Sequence, residues 1–229
     1  SWKIAPAIAT GNTCVCKPSE LTPTTAHMLG DLLNEASIPS GVVNIVHGSG
    51  AGAGGALVAD PRVPAISFTG GTATGRAIAS VAAPMFKKLS LELGGKNATV
   101  VFEDVDLESV VPQTVRAAFA NQGQICLCGS RIFVARTIYD AFTQRFISAV
   151  EKLRIGDPQD ASTEFGTVIS ADHRDKVKSY IRLAQEEGGH IRAGGDGAVV
   201  GLPARCANGF FLNPTVIVDL KPTCRTQQE

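Results

Sequence analysis

Two cysteines stand two residues apart in Phe119–Ser130, FANQGQICLCGS, a stretch rich in glycine and side-chain amides. Three chemistries compete for Cys126 and Cys128. A zinc site wants C-x-x-C knuckles or added histidines. Here the spacing is C-x-C, as it is again at Cys14 and Cys16, and the chain holds only four histidines. Two buried thiols acting as small hydrophobes are the ordinary fate of free cysteine. The third reading makes one of them a nucleophile. The stretch is polar and turn-like and lies on a connection between a helical pattern and a strand pattern, where chemistry concentrates. Gly123 and Gly129 let the backbone approach a ligand. Backbone N–H groups around such a thiol can stabilise a thiolate and a developing oxyanion.

A second stretch, Leu91–Asn97, LELGGKN, carries Glu92 in an apolar strand just before a double glycine. Alternation alone sends Glu92 to a solvated face. A carboxylate near a thiol can instead act as general base. Two glycine-rich stretches suit phosphate. GAGAGG at 50–55 fits G-x-G-x-x-G through Gly50, Gly52 and Gly55, but the acid expected about twenty residues on is missing. FTGGTATG at 68–75 joins a strand to a helix, so a helix N-terminus there can meet pyrophosphate.

The elements that must position these residues alternate. Strand patterns cover 13–17, 41–46 (read as buried), 64–70, 87–93, 98–104, 130–136 and a short HIRAGG at 190–195. Helical patterns cover 22–36, 52–60, 72–83, 106–123, 138–153 and 170–188. In 22–36, Thr22 is the expected cap and Ala26, Leu29, Leu33 and Ala36 share a face. Asp106 caps 106–123, where Pro112 permits a kink. The strand–helix repeat implies an α/β fold with a parallel sheet covered on both faces. Character changes near Gly94–Gly95, the expected domain boundary. The opening residues SWKIAPAIAT read as a buried element, and the closing CRTQQE shows no obvious final element. Both ends read as cuts within a longer protein.

The 229 residues are 44% hydrophobic and 18% charged, a globular balance rather than a disordered one. Lys plus Arg equals Asp plus Glu at 21 each, so no net field favours nucleic acid or an anionic membrane. No apolar run is long enough to span a bilayer. Six cysteines are too sparse for a disulfide scaffold, and a reducing, cytoplasmic setting is expected.

Phe119–Ser130 resembles the cysteine signature of the aldehyde dehydrogenase superfamily, and Leu91–Ala98 resembles its glutamate signature. The resemblance runs from WKIAPAIATGN through KPSE and FTGGTATG to NPTVIVDL, over the whole chain. It implies a partial Rossmann-like NAD-binding domain at 1–93 and a partial α/β catalytic domain at 94–229. It makes Cys126 the nucleophile, Cys128 a structural neighbour, Glu92 the base that activates water, and Lys3 a member of a proton relay. The cofactor implied is NAD. Lys17, Ser19 and Glu20 of KPSE, Gly50 and Ala51, Phe68, Thr69, Gly70, Gly71, Thr72 and Gly75, and Leu93 and Gly94 are the implied cofactor-binding residues. Lys17 and Glu20 would bind the adenosine ribose, and a glutamate there repels a 2′-phosphate. Gly71 stands where the family places a serine on phosphate. Glu229 lies at or beside the family's nicotinamide-ribose glutamate. The family's oxyanion asparagine would precede residue 1.

The segments KKLSLELGGKN, ICLCGSRIFV and LPARCANGFF resemble the branch of the family that takes muconic semialdehydes, including one of tryptophan catabolism. The resemblance thus implies a small aldehyde substrate and a homodimer or homotetramer for the full-length form, while the even charge balance implies no nucleic-acid or membrane partner and the C-x-C spacing implies no metal. Two other readings stay open. One is a non-catalytic scaffold that binds NAD or a partner. The other is a thiol hydrolase using one of His27, His47, His173 or His190 as base.

Overall fold

A computed structural model describes residues 2–229, which divide between Gly94 and Gly95 into two compact units. In the first unit the order is α1 (Ile4–Ala9), β1 (Cys14–Cys16), α2 (Thr24–Glu35), β2 (Val43–Ile45), α3 (Gly55–Ala59), β3 (Ala65–Gly70), α4 (Thr72–Ala82) and β4 (Lys88–Leu93). Strand β1 pairs in parallel with β2, and β3 with β4. The β3 and β4 sequences alternate strictly, and their in-register partners sort by face. Ile66–Leu89 and Phe68–Leu91 lie on the more covered side, while Ser67–Ser90 and Thr69–Glu92 lie on the exposed side. Helix α2 turns Ala26, Leu29 and Leu33 inward, and Gly30 lets Ile45 of β2 come close. Gly75 of α4 is buried where a Cβ would lie 2.7 Å from a Leu93 methyl, so its missing side chain sets the α4–β4 approach.

Several expectations for this unit need correction. The opening residues are not a buried element: Trp2 is 84% exposed and α1 buries nothing. Helix α2 begins one residue later than the Thr22 cap requires. Pro23 is its N-cap, with no side-chain bond, while the Thr22 N–H donates to the Ser19 carbonyl. Ala36 ends that helix and is exposed. Strand 41–46 shrinks to three residues, none fully buried. The helix at 52–60 is two pieces, a π-turn over Gly50–Gly54 and then α3.

The second unit holds β5 (Ala98–Val101), α5 (Leu107–Phe119), β6 (Arg131–Val134), α6 (Tyr139–Glu151), α7 (Ala171–Glu186), β7 (His190–Ala193), β8 (Val216–Val218) and α8 (Arg225–Gln228). Strands β5 and β6 are parallel. Strands β7 and β8 are antiparallel with an irregularity between Ile191 and Ala193, so not every pair follows the expected parallel pattern. The core joins Val101 of β5, Val111 and Val115 of α5, Phe142, Phe146 and Val150 of α6, and Ala193 of β7. The two phenylalanine rings stack at 5.6 Å.

Asp106 caps α5 as expected, accepting from the Glu108 N–H at 3.1 Å. Pro112 stays inside a continuous α5, where its ring removes the one amide that would bond the Glu108 carbonyl. The helix does not reach residue 123. It stops at Phe119, and Asn121, Gln122 and Gly123 all take positive φ. Helix α7 is capped by Ser170, which accepts from the His173 N–H, and it ends before Gly188 at φ +92°. The C-terminus does carry a final element, α8, whose Thr226 is held by Glu187. Among the described residues no helix is long and apolar enough to cross a membrane.

Phe142 is 2% exposed in the α5–α6 core. Truncation to alanine is expected to cost about 3–5 kcal/mol in urea unfolding. The same change at exposed Phe86 should stay within about 0.5 kcal/mol. Equal effects would mean that this core does not carry the unit.

Candidate active site

Cys126 sits in the loop between α5 and β6 and is exposed, whereas Cys128 is buried. The reason is local. Helix α5 ends in left-handed residues that turn the chain sharply, and the Gly129 N–H then bonds back to the Ala117 carbonyl. Non-glycine residues in that region carry strain and persist only where surroundings hold them. Here the holding groups are visible. The Asn97 amide donates to the Cys126 carbonyl at 2.5 Å and to the Cys128 carbonyl at 3.3 Å. The Gln124 side chain accepts from the Ile169 N–H at 3.1 Å. The Cys128 thiol faces the Ala120 carbonyl at 3.8 Å. Gly129 crosses β5 where a Cβ would lie 2.1 Å from the Thr99 hydroxyl. The backbone N–H of Cys126 has no acceptor among the described residues, which leaves it able to meet an oxyanion.

Lys96 precedes this anchor. Burial, and then the neighbouring Arg131 charge, hold its ammonium below the usual lysine range. Arg131 donates to the Lys96 carbonyl at 2.8 Å. Of the histidines in this unit, His190 pairs with Asp219 at 3.0 Å, and burial lowers the pKa of His173 on α7. Neither is hydrogen-bonded to Cys126 among the described residues. Glu229 accepts from the Tyr180 hydroxyl at 2.7 Å and pairs with Arg225. Those two, Tyr180 foremost, hold its carboxyl below the usual range.

In the first unit, Glu92 is exposed on the polar face of the β3–β4 pair, beside its register partner Thr69. The Lys3 ammonium donates to the Ser67 hydroxyl at 2.7 Å. Ser67 shares the exposed face with Thr69 and Glu92, so Lys3 reaches that face too.

The KPSE residues gather around the ends of β1 and β2. Lys17 donates to Glu20 at 3.1 Å and to the Gly48 carbonyl at 3.1 Å. Glu20 also accepts from the Gly50 N–H at 3.4 Å. Its carboxyl lies below the usual range, first because its own backbone amide bonds to it and then because Lys17 does. Ser19 spends its hydroxyl on the Leu21 N–H, which shapes this turn. A cleft of about 450 Å³ opens here, lined by Pro18, Ser19, Glu20, His27 and His47 among others. The two histidines carry no motif, and only the fold brings them to the cleft, with ring centroids 6.2 Å apart. Ala51 lies exposed in the adjoining π-turn.

At the end of β3, Phe68 packs beneath Gly70, where a Cβ would lie 2.5 Å from the ring. Gly71 is the N-cap of α4 and offers no side-chain acceptor, so the first-turn N–H groups at Thr72 and beyond face outward uncapped. Leu93 points at Gly75, and Gly94 follows it. Among the described residues no group of three or more His, Cys, Asp or Glu is arranged to hold a metal. Asn97, Thr99 and Gln124 were not singled out by the sequence. The G-K-N that follows Glu92 held the one signal for Asn97.

A sequence model of the aldehyde dehydrogenase family matches residues 1–229. The 2-aminomuconic semialdehyde dehydrogenase of Mus musculus is 52% identical over all of this chain, which covers 47% of that protein. The 2-hydroxymuconic semialdehyde dehydrogenase of Pseudomonas putida is 45% identical over 94% of this chain and 44% of its own. Among solved structures, betaine aldehyde dehydrogenase from Staphylococcus aureus in complex with NAD+ superposes with a TM-score of 0.94 at 41% identity. All of this chain and 45% of that one are covered. PnpE in complex with nicotinamide adenine dinucleotide gives 0.93 at 46% identity, over 99% and 46%. The chain spans about half the length of the relatives it matches.

The crossing of Gly129 over Thr99 can be tested by a mutant cycle. Gly129→Ala is expected to cost about 1–3 kcal/mol in urea unfolding. Adding Thr99→Ala removes the hydroxyl at 2.1 Å and leaves a Cβ at 3.4 Å, so the double variant should recover most of the loss. Purely additive losses would show that this close approach does not set the loop.

Proposed function

The chain belongs to the aldehyde dehydrogenase family, and on that premise we propose that the full-length protein oxidises an aldehyde to a carboxylic acid with NAD. The observation that carries this reading is the contrast between two neighbouring thiols: Cys126 is exposed with its own N–H unengaged, and Cys128 is buried. The Cys126 thiolate attacks the aldehyde carbonyl and forms a thiohemiacetal, whose oxyanion the Cys126 N–H meets. Loss of hydride converts it to a thioester. Glu92 takes a proton from water, the water attacks the thioester, and the acid leaves as the thiolate is regenerated. Lys3, whose ammonium reaches the strand face that carries Glu92, relays that proton.

NAD, when bound, supplies the hydride acceptor. Residues of the first unit suit it. Lys17 and Glu20 present a cation and a carboxylate for ribose hydroxyls, with Ser19 in the same turn and Gly50 and Ala51 beside the cleft. The uncapped first turn of α4, with Phe68, Thr69, Gly70, Gly71 and Thr72 leading into it, offers N–H donors to pyrophosphate. Gly75 permits the close helix approach, and Leu93 and Gly94 flank the nicotinamide. Glu20 stays ionised and disfavours a 2′-phosphate, so NAD is used rather than NADP. The relatives favour a muconic semialdehyde as substrate. The full-length form is a homodimer or homotetramer on this reading.

In the full-length protein, NADH absorbance should rise with NAD and a muconic-type or simple aldehyde. Cys126→Ala should abolish both burst and steady state, a loss of at least about 10³-fold. Glu92→Gln should keep a burst of one NADH per site while steady turnover falls about 10²–10⁴-fold. A Cys126→Ala protein that still turns over, or NAD binding without any turnover, would sink the reading.

A further inference from the structure

We infer that Cys14 and Cys16 form a dithiol capture site for a trivalent organoarsenical, a centre that brings one substituent of its own and takes two sulfurs from the protein. The pair stands two residues apart on β1 and therefore on one face of the strand, with Val15 between them turned the other way. Both residues are half-buried, both thiols are free, and their sulfurs lie 3.8 Å apart. The strand is held in place by pairing with β2, Cys14 opposite Val43 and Cys16 opposite Ile45.

That geometry selects among sulfur chemistries. A disulfide needs the sulfurs at about 2.05 Å and the Cα atoms within about 6.8 Å. Alternate residues of a strand sit about 6.6 Å apart, near that upper limit. Direct bonding therefore works against the β1–β2 ladder. One atom between the sulfurs does not, because bonds of about 2.3 Å, the length of a metal–thiolate bond, span the observed gap. Zinc would need two further protein ligands, and no such group stands here among the described residues. An organoarsenical needs only the two.

Charge points the same way. Burial, and then the neighbouring Cys14, push the Cys16 thiol up to about 11. A bis-thiolate is therefore disfavoured, and a neutral product is not. With an organoarsenic oxide, two As–S bonds form and two S–H bonds break. The oxygen leaves as water carrying both thiol protons. Arsenic stays trivalent, and nothing is oxidised or reduced. The other C-x-C is differently arranged, since Cys126 is exposed while Cys128 is buried against the Ala120 carbonyl.

The probe is phenylarsine oxide at one equivalent on the 229-residue chain, read by intact mass and peptide mapping. One phenylarsenic unit is expected on the peptide holding Cys14–Cys16. Chelation should make it outlast a monothiol wash by about 10²-fold relative to a single-thiol adduct, while 1,2-ethanedithiol strips it. Cys14→Ser and Cys16→Ser should each lose the resistant adduct, and Cys126→Ser should keep it. A resistant adduct that survives Cys14→Ser, or that disappears with Cys126→Ser, overturns the site. Should either serine variant fail to fold, footprinting of the unsubstituted chain decides. The arsenical must protect Cys14 and Cys16 together from iodoacetamide, and protection of one alone or of neither refutes the inference. Capture needs no NAD and no aldehyde, so this result and the dehydrogenase assays fail independently.

Discussion

One side-chain amide ties the cysteine loop to the β5–β6 pair of the second unit. Asn97 stands at the entry to β5 and donates to the carbonyls of Cys126 and Cys128. Two residues on, Thr99 lies against Gly129 so closely that no side chain fits there. Those contacts hold a segment that is otherwise expensive, because Asn121 and Gln122 adopt left-handed backbone after α5 stops. The packed rings of Phe142 and Phe146 fix α6 against α5. With the end of α5 and the start of β5 both fixed, the loop has one path. That path puts one thiol outside and the other inside.

In the first unit the residues of interest collect at the carboxyl ends of parallel strands. Lys17 follows β1, Gly48 follows β2, Gly71 follows β3, and Glu92 is next to last in β4. Parallel sheets place ligand-binding residues there because the loops entering helices all emerge on one edge. The Lys17–Glu20–Gly50 contacts show the same economy. The Lys17 ammonium and the Gly50 N–H both donate to the Glu20 carboxylate, and the ammonium and carboxylate keep further positions for a hydroxyl. Gly75 and Gly30 matter less for flexibility than for distance, since each lets a helix approach its strand.

The two C-x-C pairs show how little a spacing says without its backbone. On β1 the intervening residue points away and the two sulfurs face each other. In the irregular loop before β6 the same spacing separates the thiols by environment. One arrangement presents a pair. The other presents one exposed thiol and one buried thiol.

Much of the element order was legible in the sequence, because apolar periodicity is a local property. Period two marks β3 and β4, and the helical period marks α2, α5, α6 and α7. The Asp106 cap, the division at Gly94–Gly95 and the two signature stretches also lie in adjacent residues. The larger misreadings in the second unit depended on distant partners, while the late start of α2 and the π-turn before α3 were set by neighbouring residues. Helix α5 ends early because its loop is tied to Asn97, and α8 forms where Glu187 meets Thr226. Strand β7 pairs antiparallel because its partner arrives twenty-odd residues later. The cleft histidines belong here as well, since His27 and His47 come from different elements. By itself the chain determined its local conformations and the residue types able to do chemistry. Only tertiary structure decided that Cys126 meets solvent while Cys128 does not. Exposure is set by which other atoms come to lie over a side chain, and residue type alone does not carry that information.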